Sequence, residues 1–487
     1  MNNNQPAVFG GMRLREKLAY SVGDFGANLY WGTFASYLLF FYTEVFGLTA
    51  AAAGTLFLVC RLLDGAIDPA VGMIADRTET RWGKFRPYLL WFTVPFAIFG
   101  VLTFTTPGFS TTGKLVWAYS TYTVLMFLFT GISIPYSAML GVISPDPVER
   151  TSVASIKFVF AYAGSFVVSV TLLPLVQALG GGNARRGWQL AFVIFGIAYL
   201  FINLVTFLGT RERVRPAPSH GSSVRGDIRD LFTNPPWVVL ALTTVIFLLG
   251  IGIRMSVTAY YFKYYIGPQS LALPFTGGAR SYGFVELISA YGFVGQIAAI
   301  IGVLFLSSFV RSVGRKSAFI ILLVVTIAST AAFYFLRPDQ LVAIYLWNAL
   351  GSVTGAPLSA LLWAMYADAA DYSEWKTGRR ATGLVFSASI MGTKIGGAIS
   401  AAGAGWLLAW IGFQTDVAAT PGVRHGLVLL MSLIPAGVVA LSLVLVCFYP
   451  LTEARLSQIG AELKARRARE SAAPAGFAGF PDGTEAG

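Results

Sequence analysis

Twelve apolar runs, most of them 20 to 30 residues long, follow one another from Leu18 to Tyr449 with only short polar stretches between. Each is long enough to cross roughly 30 Å of hydrocarbon. The runs cover 18–43, 50–75, 87–107, 114–143, 153–179, 188–209, 236–266, 281–308, 317–336, 340–367, 383–412 and 425–449. The expected fold is therefore an all-α polytopic membrane protein. The rest of the composition agrees. Of 487 residues 55% are hydrophobic and only 12% charged, with a mean hydropathy of +0.66, whereas a soluble chain carries about twice that charge fraction. The first run has no small-residue cleavage site behind it, so it reads as a retained helix and not a signal peptide.

An even number of spans puts both termini on one side, and Lys/Arg placement says which. The two tails and the loops on their side hold 24 Lys/Arg, and the intervening loops hold six (Lys114, Arg185, Arg186, Arg280, Arg337 and Arg424). Cytoplasmic termini are expected. The net charge of +12 is then an orientation signal and an attraction to anionic headgroups, and no nucleic-acid partner is implied. Cys60 and Cys447 fall inside spans and read as buried thiols, with no disulfide or metal site. His220 and His425 have no partner at metal-ligand spacing. The chain lacks GxSxG, HExxH and Walker A patterns, so no enzymatic constellation is visible.

The longest polar stretch between spans, TRERVRPAPSHGSSVRGDIRDLFTNP at 210–235, divides the chain into six spans and six. Two six-helix halves around a central cavity describe the major facilitator architecture. The expected organisation is an N-terminal half at 1–209, a cytoplasmic linker at 210–235, a C-terminal half at 236–451 and a cytoplasmic tail at 452–487. That tail starts amphipathic and ends in a segment expected to be disordered.

Charges at membrane depth cost a few kcal/mol and usually face a cavity or a partner. In span 2, CRLLDGAIDPAVG places Arg61, Asp64 and Asp68 along one helix face. Two like charges one turn apart disfavour each other, so one of them should take up a proton or hold a cation. Lys157 lies in span 5 and Lys394 in the small-residue run GTKIGGAIS of span 11. Arg254, Lys263 and Glu286 read as structural ion pairs or as side chains reaching a membrane face. Asp24, near the cytoplasmic end of span 1, reads as a helix-end or gating salt bridge. Asn28, one turn deeper, suits either a polyol or a neighbouring helix. Two loops carry aromatics and both signs of charge. ADRTETRWGKFRPY (75–88) holds Arg77, Arg81, Lys84 and Arg86; ADAADYSEWKTGRRATG (367–383) holds Asp368, Asp371, Glu374 and Arg379. Interhelical ion pairs that lock the cytoplasmic side are expected of them.

With RLLDGAIDP, DRTETRWGKFRPY, SIPYSAMLG (133–141), PDPVERTS (145–152) and ADAADYSEWKTGRRATG in this order, the chain resembles the glycoside–pentoside–hexuronide:cation symporters, the melibiose-carrier group of the major facilitator superfamily. The resemblance implies cation-coupled uptake of a sugar or glycoside by alternating access, in a bacterial inner membrane, by a functional monomer with no cofactor beyond the coupling H+ or Na+. It also implies that Asp64 and Asp68 bind the coupling cation, with Thr130 near it and Lys394 close to both sites. Lys157 falls where melibiose-type members have a sugar-binding arginine. The chain departs from that pattern at Asn28, Ser133, Ser137 and Ile67, where the melibiose carriers have an acidic residue, a carboxylate, a Trp and an Asn. Fewer oxygens remain for sodium, a hard cation, so the reading favours a proton. A substrate site of Asn28, Trp31, Ser133, Tyr136, Ser137, Lys157 and Lys394 is expected, with aromatics stacking on a pyranose ring. Rival readings are a transporter of a non-sugar or lipid-like solute, and a transporter-like sugar sensor.

Overall fold

Side-chain caps set where many of the helices begin. The Thr49, Ser110 and Thr420 hydroxyls accept the backbone N–H groups of Ala52, Gly113 and Val423, each at 3.3 Å. The Asn183 and Asn234 amides accept those of Arg186 and Trp237, each at 3.2 Å. These contacts satisfy donors that a helix N-terminus leaves open. The computed structural model describes residues 12–144, 146–213, 231–272, 279–377, 382–415 and 419–472.

The first half contains α1 (Leu14–Phe41), α2 (Ala50–Arg77), α3 (Arg86–Trp91), α4 (Thr93–Thr103), α5 (Thr111–Val142), α6 (Pro147–Gly180) and α7 (Ala184–Gly209). The second contains α8 (Pro235–Tyr260), α9 (Phe284–Val313), α10 (Arg315–Ala332), α11 (Leu341–Thr377), α12 (Thr382–Trp410), α13 (Pro421–Met431) and α14 (Leu433–Cys447), and α15 (Glu453–Ala472) follows. Among the described residues, eleven helical segments are long and apolar enough to cross a membrane. Of the twelve expected spans, the one outside that set is α1. It is 28 residues long, but Asp24, Asn28 and its glycines interrupt the apolar sequence. It packs inside the molecule, against α6, α7 and α8.

The structure differs from the sequence expectations at particular places. Span 3 breaks at Phe92 into α3 and α4, and span 12 breaks at Ser432 (φ −127°, ψ −91°) into α13 and α14. Helix α8 continues as a π-helical turn over Tyr261–Ile266. Residues 281–282, expected to start span 8, belong instead to a small antiparallel hairpin. It pairs Gln269–Ala272 with Ala279–Tyr282, Gln269 facing Tyr282. The stretch read as a loop from 367 is helical to Thr377, because α11 buries Ala369, Ala370 and Ser373 on one side. Cys447 ends α14 exposed and not buried. The amphipathic tail forms α15, which buries Ile459 and Leu463 and docks on α11, where the Trp375 indole N–H donates to Glu462 at 2.6 Å. Most of the 210–235 linker, His220 and Arg379 lie outside the described residues.

The halves meet towards the face that carries the α1–α2 turn and the hairpin, here the far face; the opposite one is the terminal face. Glycines permit the approach: a Cβ at Gly54 would stand 2.7 Å from the Ala402 carbonyl oxygen, and one at Gly405 would stand 2.8 Å from the Gly54 Cα. Across the same seam Thr43 and Tyr260 share a hydroxyl hydrogen bond of 2.6 Å, and the Trp406 indole donates to Thr55 at 3.1 Å. Near the hairpin, the buried Glu44 carboxylate takes an ion pair from Lys263 and a 2.7 Å hydrogen bond from Tyr264.

Because α2 and α12 touch at backbone distance, Gly405→Val should overpack the seam. The expected loss is about 1–3 kcal/mol, read as a lower thermal unfolding midpoint of detergent-purified protein; an unchanged midpoint would show that the seam yields freely.

Candidate cation and substrate site

The two carboxylates of α2 sit near the middle of that helix and face α5 and α12. Asp64 is buried, at 3% exposure. The Thr130 hydroxyl on α5 lies 2.5 Å from Asp64 Oδ1 and 3.3 Å from Asp68 Oδ1. From α12, in the other half, Lys394 Nζ lies 3.4 Å from Asp64 Oδ2 and pairs directly with Asp68 Oδ2. Arg61, one turn before Asp64, places Nη1 3.8 Å from Asp64 Oδ2. Its guanidinium lies 4.2 Å over the Trp31 ring, and Trp31 stacks on Phe129 with centroids 5.8 Å apart. Two carboxylates and two cations thus form one cluster whose formal charges cancel, which makes it tolerable at membrane depth.

A cavity of about 410 Å³ opens between the halves beside this cluster, within the range of small-molecule sites. Trp31, Arg61 and Lys394 line it, with Trp363, Tyr366 and Ser165. Asp64 and Asp68 are not among its lining residues; their partners Arg61 and Lys394 stand at its wall. Trp363 stacks on Phe386 with rings 7° from parallel, presenting an aromatic surface that the sequence reading did not single out.

The remaining expected substrate residues gather around α1 and α6. Lys157 Nζ lies 3.6 Å from Asp24 Oδ2 and 5.2 Å from the Tyr136 ring centroid. Tyr136 is buried and stacks on Tyr20 at 4.6 Å, each hydroxyl donating to the other residue's carbonyl, at 2.8 and 2.9 Å. Gly23 makes room for that ring, since a Cβ there would come within 2.7 Å of it. Asn28 donates to the Asp24 carbonyl at 2.9 Å and accepts from Ser165 at 3.3 Å, tying α1 to α6. Ser133 and Ser137 share the α5 face of Thr130, one and two turns further on; Ser133 is half-buried and Ser137 exposed.

The loop charges are tied mostly within their own half. Glu212 accepts the backbone N–H groups of Lys84, Phe85 and Arg86 at 2.7–2.9 Å, so a carboxylate occupies the N-terminus of α3. Arg86 donates to the carbonyls of Trp82 and Phe207, and Arg81 lies 4.7 Å over the Trp82 ring. Arg77 is exposed. Arg213 binds both oxygens of Glu16, at 2.5 and 2.7 Å, and this pairing holds its guanidinium above its usual pKa. In the second half Asp368 pairs with Arg315, whose backbone N–H reaches Glu453 at 2.6 Å. Asp371 is exposed and Glu374 half-buried near the end of α11. Glu286 is exposed in the first turn of α9, where a helix N-terminus favours negative charge. Sequence reasoning missed Glu44. Its only signal was an acid in the aromatic run FFYTEVF, just past the expected end of span 1.

Known proteins resemble the chain over most of its length. A family profile described as MFS/sugar transport protein matches residues 19–453. A putative glycoside/cation symporter of Escherichia coli, YagG, is 34% identical over 95% of this chain and 97% of its own. An isoprimeverose transporter of Lactiplantibacillus pentosus is 32% identical over 94% and 92%. A solved bacterial homologue of the human lysosomal transporter Spinster superposes with a TM-score of 0.62 at 16% identity, over 90% of this chain and 98% of its own.

If Lys394 balances the two carboxylates, Lys394→Met should destabilise the protein by about 1–3 kcal/mol, the cost of leaving a buried acceptor unpaired. Adding Asp68→Asn should recover over half of that loss in a double-mutant thermal-unfolding cycle. Purely additive losses would mean that the pair does not interact.

Proposed function

The chain belongs to the MFS/sugar transport protein family, and from that membership we propose that it is a cation-coupled symporter that carries a sugar or glycoside across the bacterial inner membrane. The transporter class and the multi-pass membrane location follow from the family and from the membrane-length helices. The glycoside and isoprimeverose named for two relatives support the substrate class. One observation carries the coupling: the cluster of Asp64, Asp68, Thr130 and Lys394 joins the two halves at mid-membrane, beside the central cavity.

In the proposed cycle a cation neutralises the Asp64/Asp68 pair and frees Lys394. Sugar held between Trp31, Trp363 and Lys394 then stabilises closure of the halves, and opening to the cytoplasm releases both. The coupling is reciprocal, so the factor by which cation raises sugar affinity equals the factor by which sugar raises cation affinity. A proton is favoured over sodium. Among the described residues, only Thr130 adds an oxygen hydrogen-bonded to the two carboxylates, and Ile67 and Ser133 stand where the melibiose carriers have an Asn and a carboxylate. The domain division at 1–209, 210–235, 236–451 and 452–487 belongs to the same reading, as do cytoplasmic termini and a functional monomer. The far-face seam is then the outer seal, and the structure corresponds to an inward-open state.

Purified protein in liposomes tests this. An imposed inward pH gradient should drive accumulation of labelled isoprimeverose or a related glycoside, with no need for sodium. Asp68→Asn should abolish accumulation while leaving sugar counterflow. Accumulation by the Asp68→Asn protein would end the coupling assignment, and uptake that requires a sodium gradient and ignores pH would end the proton assignment.

A further inference from the structure

A second cavity, of about 380 Å³, lies between the halves and extends into the C-terminal half among α8, α9, α10 and α11. It shares Ile251, Met255 and Ser359 with the central cavity as a common wall. Arg254, Gln296, Asn348 and Ser352 give it a polar lining. Small residues keep it open: a Cβ at Gly295 would stand 2.9 Å from the Asn348 amide nitrogen.

Arg254 differs from the other basic side chains inside the spans. Arg61, Lys157, Lys263 and Lys394 each meet a carboxylate. Among the described residues Arg254 meets none. Its Nη1 and Nη2 donate to neutral hydroxyls, those of Thr330 and Tyr291, each at 3.2 Å, and its guanidinium lies 4.4 Å over the Phe333 ring. Its Nε is buried with no hydrogen-bond partner. A cation at membrane depth held only by hydroxyls and a ring keeps an uncompensated charge, which is costly unless an anion arrives. A planar guanidinium in a polar cavity suits an oxyanion that can accept two N–H bonds at once.

We propose that this cavity is an anion subsite of the transport pathway, where Arg254 sets a preference for acidic over neutral sugars or glycosides by holding their carboxylate or sulfonate. The inference rests on the sugar-transport reading. Neutral hydroxyls of the same solute would meet Gln296 and Ser352, and its ring would extend past Met255 towards the central cavity.

Calorimetric titration of the full-length purified protein with two matched pairs tests it: D-glucuronate against D-glucose, and methyl β-D-glucuronide against methyl β-D-glucoside. The acid should bind at least about tenfold tighter than its neutral partner, as hydrogen bonds to a charged group imply. Arg254→Gln should bring that ratio to about one without changing the neutral sugar's affinity. Arg254→Lys, which keeps the charge and loses the fork, should fall between. In the native protein inorganic sulfate should compete with the acid and not with the neutral sugar, a readout that does not depend on any variant folding. A ratio near one in the native protein, an unchanged ratio in Arg254→Gln, or equal losses for acid and neutral sugar would overturn the proposal. Binding of neutral sugars alone overturns only this subsite, whereas binding of no sugar overturns the transport reading as well.

Discussion

The structure depends on one lysine shared between two carboxylates across the midline. Lys394 comes from α12 of the C-terminal half, and Asp64 and Asp68 come from α2 of the N-terminal half. Neither side is stable alone at membrane depth. Two carboxylates one turn apart repel, and a lone ammonium in a small-residue helix has no partner. Together, and with Arg61 behind them, they cancel. Under the proposed function, the same balance makes the cluster sensitive to an arriving cation. In that reading a proton or metal ion on Asp68 weakens the direct pair with Lys394 and leaves the 3.4 Å contact to Asp64 as the remaining tie between the halves here.

The other polar and close contacts divide by position. Towards the far face Glu44 with Lys263 and Tyr264, Thr43 with Tyr260, and the Gly54–Gly405 contact all cross from one half to the other. Towards the terminal face Glu212 with the 84–86 backbone, Arg213 with Glu16, and Arg315 with Asp368 each stay within one half. A rigid rotation of one half against the other preserves contacts of the second kind and breaks those of the first. The free energy of opening the far face therefore falls on a short set of residues, with Glu44 the most exacting. Its side chain is 2% exposed, so losing Lys263 would leave a carboxylate buried without its counter-charge.

Legibility in the sequence follows the range of each interaction. The spans were readable because hydrophobic thickness sets a length that any apolar run reports. Asp64, Asp68 and Lys394 were readable because a charge in such a run is conspicuous without its partner. The breaks at Phe92 and Ser432 were legible too but went unread: each stands three residues before a proline, Pro95 and Pro435, which cannot donate to the carbonyl four residues back. The helical end of α11 looked like a loop because Asp368, Asp371 and Glu374 intersperse the small residues, although α11 buries Asp368 with Ala369, Ala370 and Ser373. Glu44 and Trp363 went unnoticed for a related reason: what they touch lies far along the chain or across the seam.

Under the proposed function, the charges beside the central cavity link solute and cation through one ion pair. Lys394 and Arg61 line the cavity, while the carboxylates they balance do not. The Lys394 ammonium at the cavity wall pairs directly with Asp68, and both side chains are partly exposed. Under the proposed cycle, each hydrogen bond that the solute takes from Lys394 weakens the hold of that ammonium on Asp68, and the carboxylate gains affinity for a cation. A cation on Asp68 releases Lys394 towards the solute in the same way. Positive coupling thus needs no long pathway, because both ligands compete with the same internal ion pair, and the competition is between the pair and each ligand, not between the two ligands themselves.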